Sequence, residues 1–262
     1  MDFTASLAEQ FDGPQVRALV LMGSHARGAA GPYSDVDLVR IMAGTEPPAV
    51  ADGSYLHDGR LLVAGSVTPA QVEKWFTEPE VAVEVIAGLR AARALRDDGS
   101  FAAIQARAHA FRWDEALHEK ANGWAGERLV GWVEEVHKGL EGLRRGDTGR
   151  LLNARFGLSW GLSRVMAVQQ GVLLSGDNAL YAELGAAMAG HPQWLRLRRI
   201  AFGIEDDVGR PPTLAMQVTA GLQLYALTAT LLDGVLQPEK AALIRETVAL
   251  IEDNLAEGTE IH

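Results

Sequence analysis

Two aspartates, Asp35 and Asp37, stand one residue apart shortly after a Gly-Ser pair, within the segment MGSHARGAAGPYSDVDL at residues 22–38. Because successive side chains of a strand point to opposite faces, an extended segment would place both carboxylates on one face. Two carboxylates placed in this way repel each other unless a cation lies between them. A hard divalent cation such as Mg²⁺ binds carboxylate and phosphate oxygens together, so the pair predicts a metal site that serves a phosphate substrate.

The Gly-Ser pair supplies the second half of this chemistry. Gly23 allows close approach of the backbone, Ser24 offers a hydroxyl, and a following helical turn would present free N–H groups to a phosphate. A metal at one end of the loop and a phosphate at the other predict displacement at phosphorus, with the metal acting as a Lewis acid. Each short motif alone is also typical of a polar surface turn, and it is their combination that makes the prediction specific.

Strands and a helix must hold the two ends of this loop in place. Apolar, β-branched stretches predict four strands, at residues 16–22, 36–42, 61–64 and 81–86. The third strand is the second arm of a hairpin that turns at Asp58-Gly59. A helix is predicted from Pro69 to Phe76, with Thr68 as its N-cap and proline at its first position.

The sequence changes character after Asp97-Asp98-Gly99, where helical spacing of apolar residues replaces the strand pattern up to the end of the chain. We therefore predict an α+β protein of two domains. Residues 1–98 form an N-terminal α/β domain with a small mixed sheet, and residues 99–262 form a C-terminal helix bundle.

Composition excludes several classes of function. The 262 residues include no cysteine, which rules out disulfides and thiolate metal sites and fits a reducing cytoplasm. A formal net charge of −10 makes the chain a poor binder of nucleic acid or anionic lipid, and suits a cationic small molecule or a metal-bound anion. The first residues lack the pattern of a signal peptide, and no uninterrupted apolar run reaches about 18 residues, so no membrane span is expected.

The loop resembles the signature of the DNA polymerase β-like nucleotidyltransferase superfamily. The matching positions are Gly23, Ser24, Arg27, Gly28, Ser34, Asp35, Asp37 and Leu38. The resemblance implies transfer of a nucleoside monophosphate from an NTP such as ATP to a hydroxyl, with release of pyrophosphate. It also implies that Asp35 and Asp37 hold Mg²⁺, that Gly23 and Ser24 bind the β- and γ-phosphates, and that Arg27 and Ser34 contact the nucleotide.

Many members of this superfamily carry a third carboxylate on a later strand, but the predicted strand at residues 61–64 has none. In the similar kanamycin-type enzymes, a Glu and a Lys four residues later, on a bundle helix, serve as general base and phosphate ligand. Glu134 and Lys138 match this spacing, and they would share one helix face. Glu135 and Glu84 are the alternative bases, and a plain surface ion pair is the competing interpretation of Glu134 and Lys138.

Three functions follow from the resemblance. The first is nucleotidyl transfer to a hydroxyl of a small molecule, such as a cationic aminoglycoside antibiotic, by a monomer or homodimer with an acceptor site between its domains. The second is a protein-directed AMP-transferase like the minimal nucleotidyltransferase antitoxins, against which the large helical half argues. The third is an inactive nucleotide-binding module, against which the intact Asp35 and Asp37 argue.

Overall fold

The computed structural model describes residues 3–204 and 209–257, which divide into two compact units. The first unit contains the chain up to Asp114 together with residues 173–179, here called the return segment. The second unit contains Glu115–Val172 and the chain from Leu180 onward. The first unit is a sheet with helices and the described part of the second is helical, so the predicted α+β class is confirmed.

The first unit is built on a five-stranded mixed sheet of strand order β3-β4-β2-β1-β5. Its strands are β1 (Val16–Leu21), β2 (Val36–Met42), β3 (Gly53–His57), β4 (Arg60–Val67) and β5 (Arg93–Asp97). Strands β2 and β4 pair in parallel, and the other neighbours are antiparallel. The helices are α1 (Phe3–Phe11), α2 (Gly23–Ala26), α3 (Pro69–Thr77), α4 (Pro79–Ala91) and α5 (Ser100–Ala110).

Local sequence signals fix the β3–β4 hairpin and helix α3 as predicted. Strands β3 and β4 form a hairpin whose turn residues, Asp58 and Gly59, both have positive φ, at 49° and 75°. Such a turn matches the right-handed twist of the strands that it joins. Helix α3 begins at Pro69, and Thr68 caps it in a reciprocal capping box with Gln71.

Residues 81–86 are helical, and the predicted strand there is wrong. They lie inside α4, which buries Ala82, Val83, Ile86 and Leu89 at helical spacing. The valines favour a strand locally, but this helix begins at a proline and packs one apolar face. The fifth strand, β5, was not predicted because its sequence, RALRD, is mostly exposed and has no apolar alternation.

The division between the units also differs from the predicted join at residue 98. Helix α5 packs against β1 and β5 and belongs to the first unit, which continues to Asp114. The return segment then adds residues 173–179 to the first unit. Composition marks where helical periodicity begins, but it cannot show against which element the first helix packs.

The two faces of β2 have different environments. One face packs on α1, where Leu7 and Phe11 meet a cluster of buried side chains from three strands: Leu19, Leu21, Val36, Leu38, Leu62 and Ala64. Asp37 points away from this cluster because it alternates with Val36 and Leu38 along the strand. The hydrophobic core therefore fixes β2 and directs the Asp37 carboxylate to the opposite face.

The second unit consists of helices in its described part. They are α6 (Glu115–Gly131), α7 (Val133–Arg145), α8 (Thr148–Phe156), α9 (Leu162–Gln169), α10 (Leu180–Ala187), α11 (Pro192–Ala201), α12 (Leu214–Leu232) and α13 (Pro238–Glu257). A π-helical turn, Gly157–Gly161, joins α8 to α9. Trp132 packs against the backbone of Gly157 and Gly161, where a side chain would overlap the indole ring.

One segment of the described residues, Leu214–Val235, is long and apolar enough to cross a membrane. Half of its most apolar stretch is buried. Helix α12, which makes up most of the segment, packs against α7, α8, α11 and α13 within the second unit. The buried Tyr225 hydroxyl donates to the carbonyl oxygen of Leu129 at 3.1 Å. These contacts are those of a core helix.

Candidate active site

An open cleft of about 820 Å³ lies within the first unit, beside the loop between β1 and β2. The loop and the start of β2 form one wall, and the return segment forms the other. The lining residues are Gly23, Ser24, Arg27, Gly31, Pro32, Tyr33, Ser34, Asp35, Asp37 and residues 175–179. Thus the structure places six of the predicted site residues on one cleft: Gly23, Ser24, Arg27, Ser34, Asp35 and Asp37.

Gly23 lies directly against the carboxylate of Asp37. The backbone N–H of Met22 donates to the Asp37 carbonyl oxygen at 2.9 Å, which holds the end of β1 beside β2. Gly23 then turns the chain with φ of +62°, a left-handed conformation that favours glycine. A Cβ at this position would overlap Oδ2 of Asp37. The glycine is therefore required both for the turn and for close approach to the carboxylate.

Asp35 and Asp37 both face the cleft, with different exposure. Asp35 is exposed and immediately precedes β2, whereas Asp37 is half-buried within the strand. Burial raises the pKa of Asp37, and the negative charges of Asp35 and Asp177 raise it further. The nearby His25 and Arg27 act in the opposite direction. The carboxylates of Asp35 and Asp177 are therefore close enough to oppose ionisation of Asp37, the most buried of the three.

The third of these carboxylates, Asp177, is a site residue that the sequence reasoning missed. Val63 is the register partner of Asp37 on β4, so the neighbouring strand offers no acid there. Asp177 lies instead on the return segment, at the start of a short 3₁₀ turn, Asp177–Ala179. The polar sequence SGDN between apolar helices was the available signal, but nothing local indicates that it packs beside Asp37.

Two backbone contacts place the return segment in the first unit. The N–H of Leu174 donates to the Val83 carbonyl oxygen at 2.8 Å, and the Leu174 side chain is buried. Nη1 of Arg27 donates to the Ser175 carbonyl oxygen at 2.7 Å. Arg27, predicted to contact the nucleotide, is therefore bonded to the protein backbone.

Ser24 and Ser34 occupy different positions on the loop. Ser24 lies in the single turn of α2 and lines the cleft next to Gly23. The Ser34 hydroxyl oxygen accepts the N–H of Gly31 at 2.9 Å, and the Ser34 N–H donates back to the Gly31 carbonyl oxygen at 3.1 Å. Ser34 therefore closes the turn that leads into Asp35.

Glu134 and Lys138 lie on α7 in the second unit, where they form an ion pair. Nζ of Lys138 lies 2.9 Å from Oε1 of Glu134 and 2.8 Å from Oε1 of Glu135. The hydrogen bonds that Nζ donates to Glu135 and Glu134 raise the pKa of Lys138. The Glu134 side chain is 75% exposed, whereas that of Glu135 is 15% exposed and its Oε2 has no hydrogen-bond partner among the described residues. Glu84 is exposed on α4 and does not line the cleft.

The charge at the cleft fits a divalent cation that arrives with its own phosphate ligands. Within residues 3–204 and 209–257, no group of three or more His, Asp or Glu side chains forms a ready-made metal site. The Asp35 and Asp177 carboxylates nevertheless oppose ionisation of Asp37, and a cation would relieve that repulsion. Small hard cations are commonly bound by one or two carboxylates plus substrate phosphates, and Asp35 and Asp37 supply that number.

Comparisons with known proteins agree with this geometry. A sequence model of the nucleotidyltransferase domain family matches residues 5–85, which include the loop and both of its aspartates. The chain is similar to a crystal structure of a nucleotidyltransferase-like protein from Exiguobacterium sibiricum, with a TM-score of 0.52 and 10% sequence identity. That similarity covers 89% of this chain and 75% of the other, and at this identity it concerns the fold alone.

A search of curated protein sequences finds no match to the chain. The family match covers the β1–β2 loop, and the structure places that loop's Gly-Ser pair and two aspartates on one cleft. Residues 5–85 of this chain therefore match the nucleotidyltransferase domain family, and this match supports a nucleotidyltransferase enzyme.

Proposed function

We propose that this protein transfers a nucleoside monophosphate from an NTP, with ATP the first to test, to a hydroxyl of a small molecule, and releases pyrophosphate. Mg²⁺ is the proposed metal. The observation that carries the proposal is the convergence of Asp35, Asp37 and Asp177 beside the Gly23-Ser24 turn on one cleft. Carboxylates for a metal and a turn for phosphates are the parts that phosphoryl transfer requires.

Each residue has a distinct task in this proposal. Asp35 and Asp37 hold the metal, and Asp177 supplies a third carboxylate. Gly23 and Ser24 receive the β- and γ-phosphates, close to Asp37 because Gly23 lies against its carboxylate. A Mg²⁺ ion held by Asp35 and Asp37 would supply positive charge to stabilise the phosphoryl oxygens and the departing pyrophosphate. The protein's contribution is to fix these groups before the nucleotide arrives, so that little reorganisation accompanies the reaction.

The charge of the cleft supports a cationic acceptor. The charged side chains that line it are three aspartates and one arginine, Arg27. An acidic lining attracts polycationic molecules and raises their local concentration. An amino sugar such as an aminoglycoside antibiotic is therefore the first acceptor class that we propose, in a cytoplasmic enzyme with ready access to NTP.

The acceptor is identified by a transfer assay. The protein is incubated with Mg²⁺, α-labelled ATP and a panel of aminoglycosides and lincosamides, and the products are separated by size and charge. The proposal predicts label on one of these compounds and equimolar pyrophosphate, both dependent on Mg²⁺. Label on a protein, with none on any small molecule, would instead support a protein-directed AMP-transferase. Absence of transfer to any acceptor under every condition would support an inactive module.

Asp177→Asn is expected to lower turnover about 10- to 100-fold, because the third carboxylate of the cleft becomes neutral while its shape is kept. The same change removes one of the charges that raise the pKa of Asp37, so that pKa should fall. Carbon-13 NMR of the labelled aspartate carboxyls measures the shift in the metal-free protein. An unchanged Asp37 pKa together with unchanged turnover would show that Asp177 does not act at this cleft.

Glu134 remains the proposed general base, since its largely exposed side chain is open to an acceptor hydroxyl. Glu134→Gln should lower kcat about 100-fold with little change in KM for the NTP. Glu135→Gln is the matched variant, because it lies one residue away and shares the ion pair with Lys138. A kcat loss confined to Glu135→Gln would assign the role of general base to Glu135. A wild-type kcat in both variants would exclude Glu134 and Glu135 as the general base.

A further inference from the structure

We propose that Arg27 is a positioning residue that holds the return segment against the cleft, so that Asp177 stays beside Asp35 and Asp37. This inference rests on the proposed function for its catalytic consequence, but its structural part stands independently. It assigns to Arg27 a bond with the protein's own backbone in place of the nucleotide contact implied by the sequence resemblance. The three-carboxylate arrangement then depends on a contact between two segments far apart in the chain.

The geometry of Arg27 carries the first step. Arg27 follows α2 directly, and its backbone N–H donates to the Gly23 carbonyl oxygen, which fixes the start of the side chain. Nη1 reaches the Ser175 carbonyl oxygen at 2.7 Å, a charge-assisted hydrogen bond of good length. The other terminal nitrogen, Nη2, lies 3.7 Å from the position that a Cβ on Gly176 would occupy. The guanidinium therefore lies along the backbone of residues 175–176.

Leu174 and Arg27 both fix the return segment to the rest of the first unit. Leu174 is secured by burial of its side chain and by the bond from its N–H to Val83. Arg27 binds the next residue, Ser175, and the Ala179 N–H then donates to the Gly176 carbonyl oxygen at 2.9 Å. Asp177 lies within this last turn and is itself exposed. The bond from Arg27 is therefore a contact between the return segment and the loop that joins β1 to β2.

Charge also acts on the return segment. Asp177 lines the same cleft as Asp35 and Asp37, and its negative charge repels the ionised form of Asp37. Arg27 offsets this repulsion in two ways, because it places a positive charge beside the carboxylates and binds the backbone that carries Asp177. Loss of the guanidinium should therefore loosen the return segment and withdraw Asp177 from the cleft.

Hydrogen–deuterium exchange on the full chain, without nucleotide or metal, tests the structural part. In Arg27→Ala, the protected amides of Leu174 and Ala179 should exchange about three- to tenfold faster, as expected for loss of one exposed hydrogen bond. Arg27→Lys should restore part of the protection, since an ammonium can donate the single bond that Nη1 makes. Arg17→Ala is the control, because Arg17 is an exposed arginine of the same unit that pairs with Asp98.

Mn²⁺ binding and nucleotide binding distinguish a positioning residue from a phosphate ligand. Arg27→Ala should weaken Mn²⁺ binding to the same degree as Asp177→Asn and leave the Kd for metal-free ATP unchanged. In the Asp177→Asn background, Arg27→Ala should weaken Mn²⁺ binding little further. Weaker ATP binding with unchanged exchange at residues 174–179 would overturn the inference and make Arg27 a phosphate ligand. If Arg27→Ala showed faster exchange but the wild type transferred no nucleotide, the positioning role of Arg27 would be supported and the proposed function contradicted.

Discussion

Replacing Asp37 with asparagine is expected to lower nucleotidyl transfer by about 10³-fold or more, because the change removes a metal ligand at the point where charge develops. The stability of the folded protein should not decrease. Asp37 packs no core side chain, and the raised pKa means that its ionised form is disfavoured in the folded state. A steady-state rate with saturating MgATP, paired with a thermal melt, measures both effects.

The pH dependence of the melt gives Asp37→Asn a second signature. A carboxyl whose pKa is raised on folding binds its proton more tightly in the folded state. The stability of the wild type therefore falls as the pH rises from the ordinary pKa of Asp37, 3.8, through its raised pKa in the folded protein. Asp37→Asn lacks this loss and should melt at or above the wild-type temperature at pH 7. Asp58→Asn, at the exposed hairpin turn, is the control that should change neither rate nor stability. Full activity in Asp37→Asn would remove Asp37 from the metal site.

Gly23→Ala is expected to lower turnover about 100-fold, although it adds only one methyl group. That methyl would overlap Oδ2 of Asp37, and the least costly relief is rotation of the carboxylate away from its position. Displacement of a catalytic group by about 1 Å can by itself cost about 100-fold in rate. The positive φ at residue 23 adds about 1–2 kcal/mol of strain for alanine, so a lower melting temperature should accompany the loss.

Gly59→Ala is the matched control for Gly23→Ala. Gly59 has a similar positive φ, +75° against +62°, but open space surrounds the position of its missing Cβ. The control should therefore lower stability by a similar amount and leave kcat and KM unchanged. If Gly23→Ala retained wild-type kcat, or if both variants lost activity equally, close packing of Gly23 on Asp37 would not be the cause.

The sequence predicted the parts of this site that depend on local rules. Strand alternation places Asp37 on the face opposite the core. Glycine is required at residue 23 because the chain turns there with a positive φ. The capping box of α3 and the Asp58-Gly59 hairpin are also local, and both are confirmed. Patterns of this kind are determined by residues a few positions apart, so one sequence is enough to predict them.

Asp177 could not be predicted in the same way, because its position depends on tertiary contacts. Only the folded chain brings Leu174 to Val83 and Ser175 to Arg27, and no spacing rule links those pairs. The strand predicted at residues 81–86 failed for a related reason. Its valines satisfy a strand or one face of a helix equally well over so short a stretch, and packing of α4 decides between them.

The most direct test of the central claim is binding of Mn²⁺, followed by electron paramagnetic resonance, in the presence of a non-hydrolysable ATP analogue. If Asp35, Asp37 and Asp177 form one metal–nucleotide site, the wild type should bind Mn²⁺ more tightly with the analogue than without it. Asp37→Asn should weaken that binding about tenfold or more and Asp177→Asn should weaken it measurably, while Asp58→Asn should leave it unchanged. Wild-type affinity in both cleft variants would contradict the account.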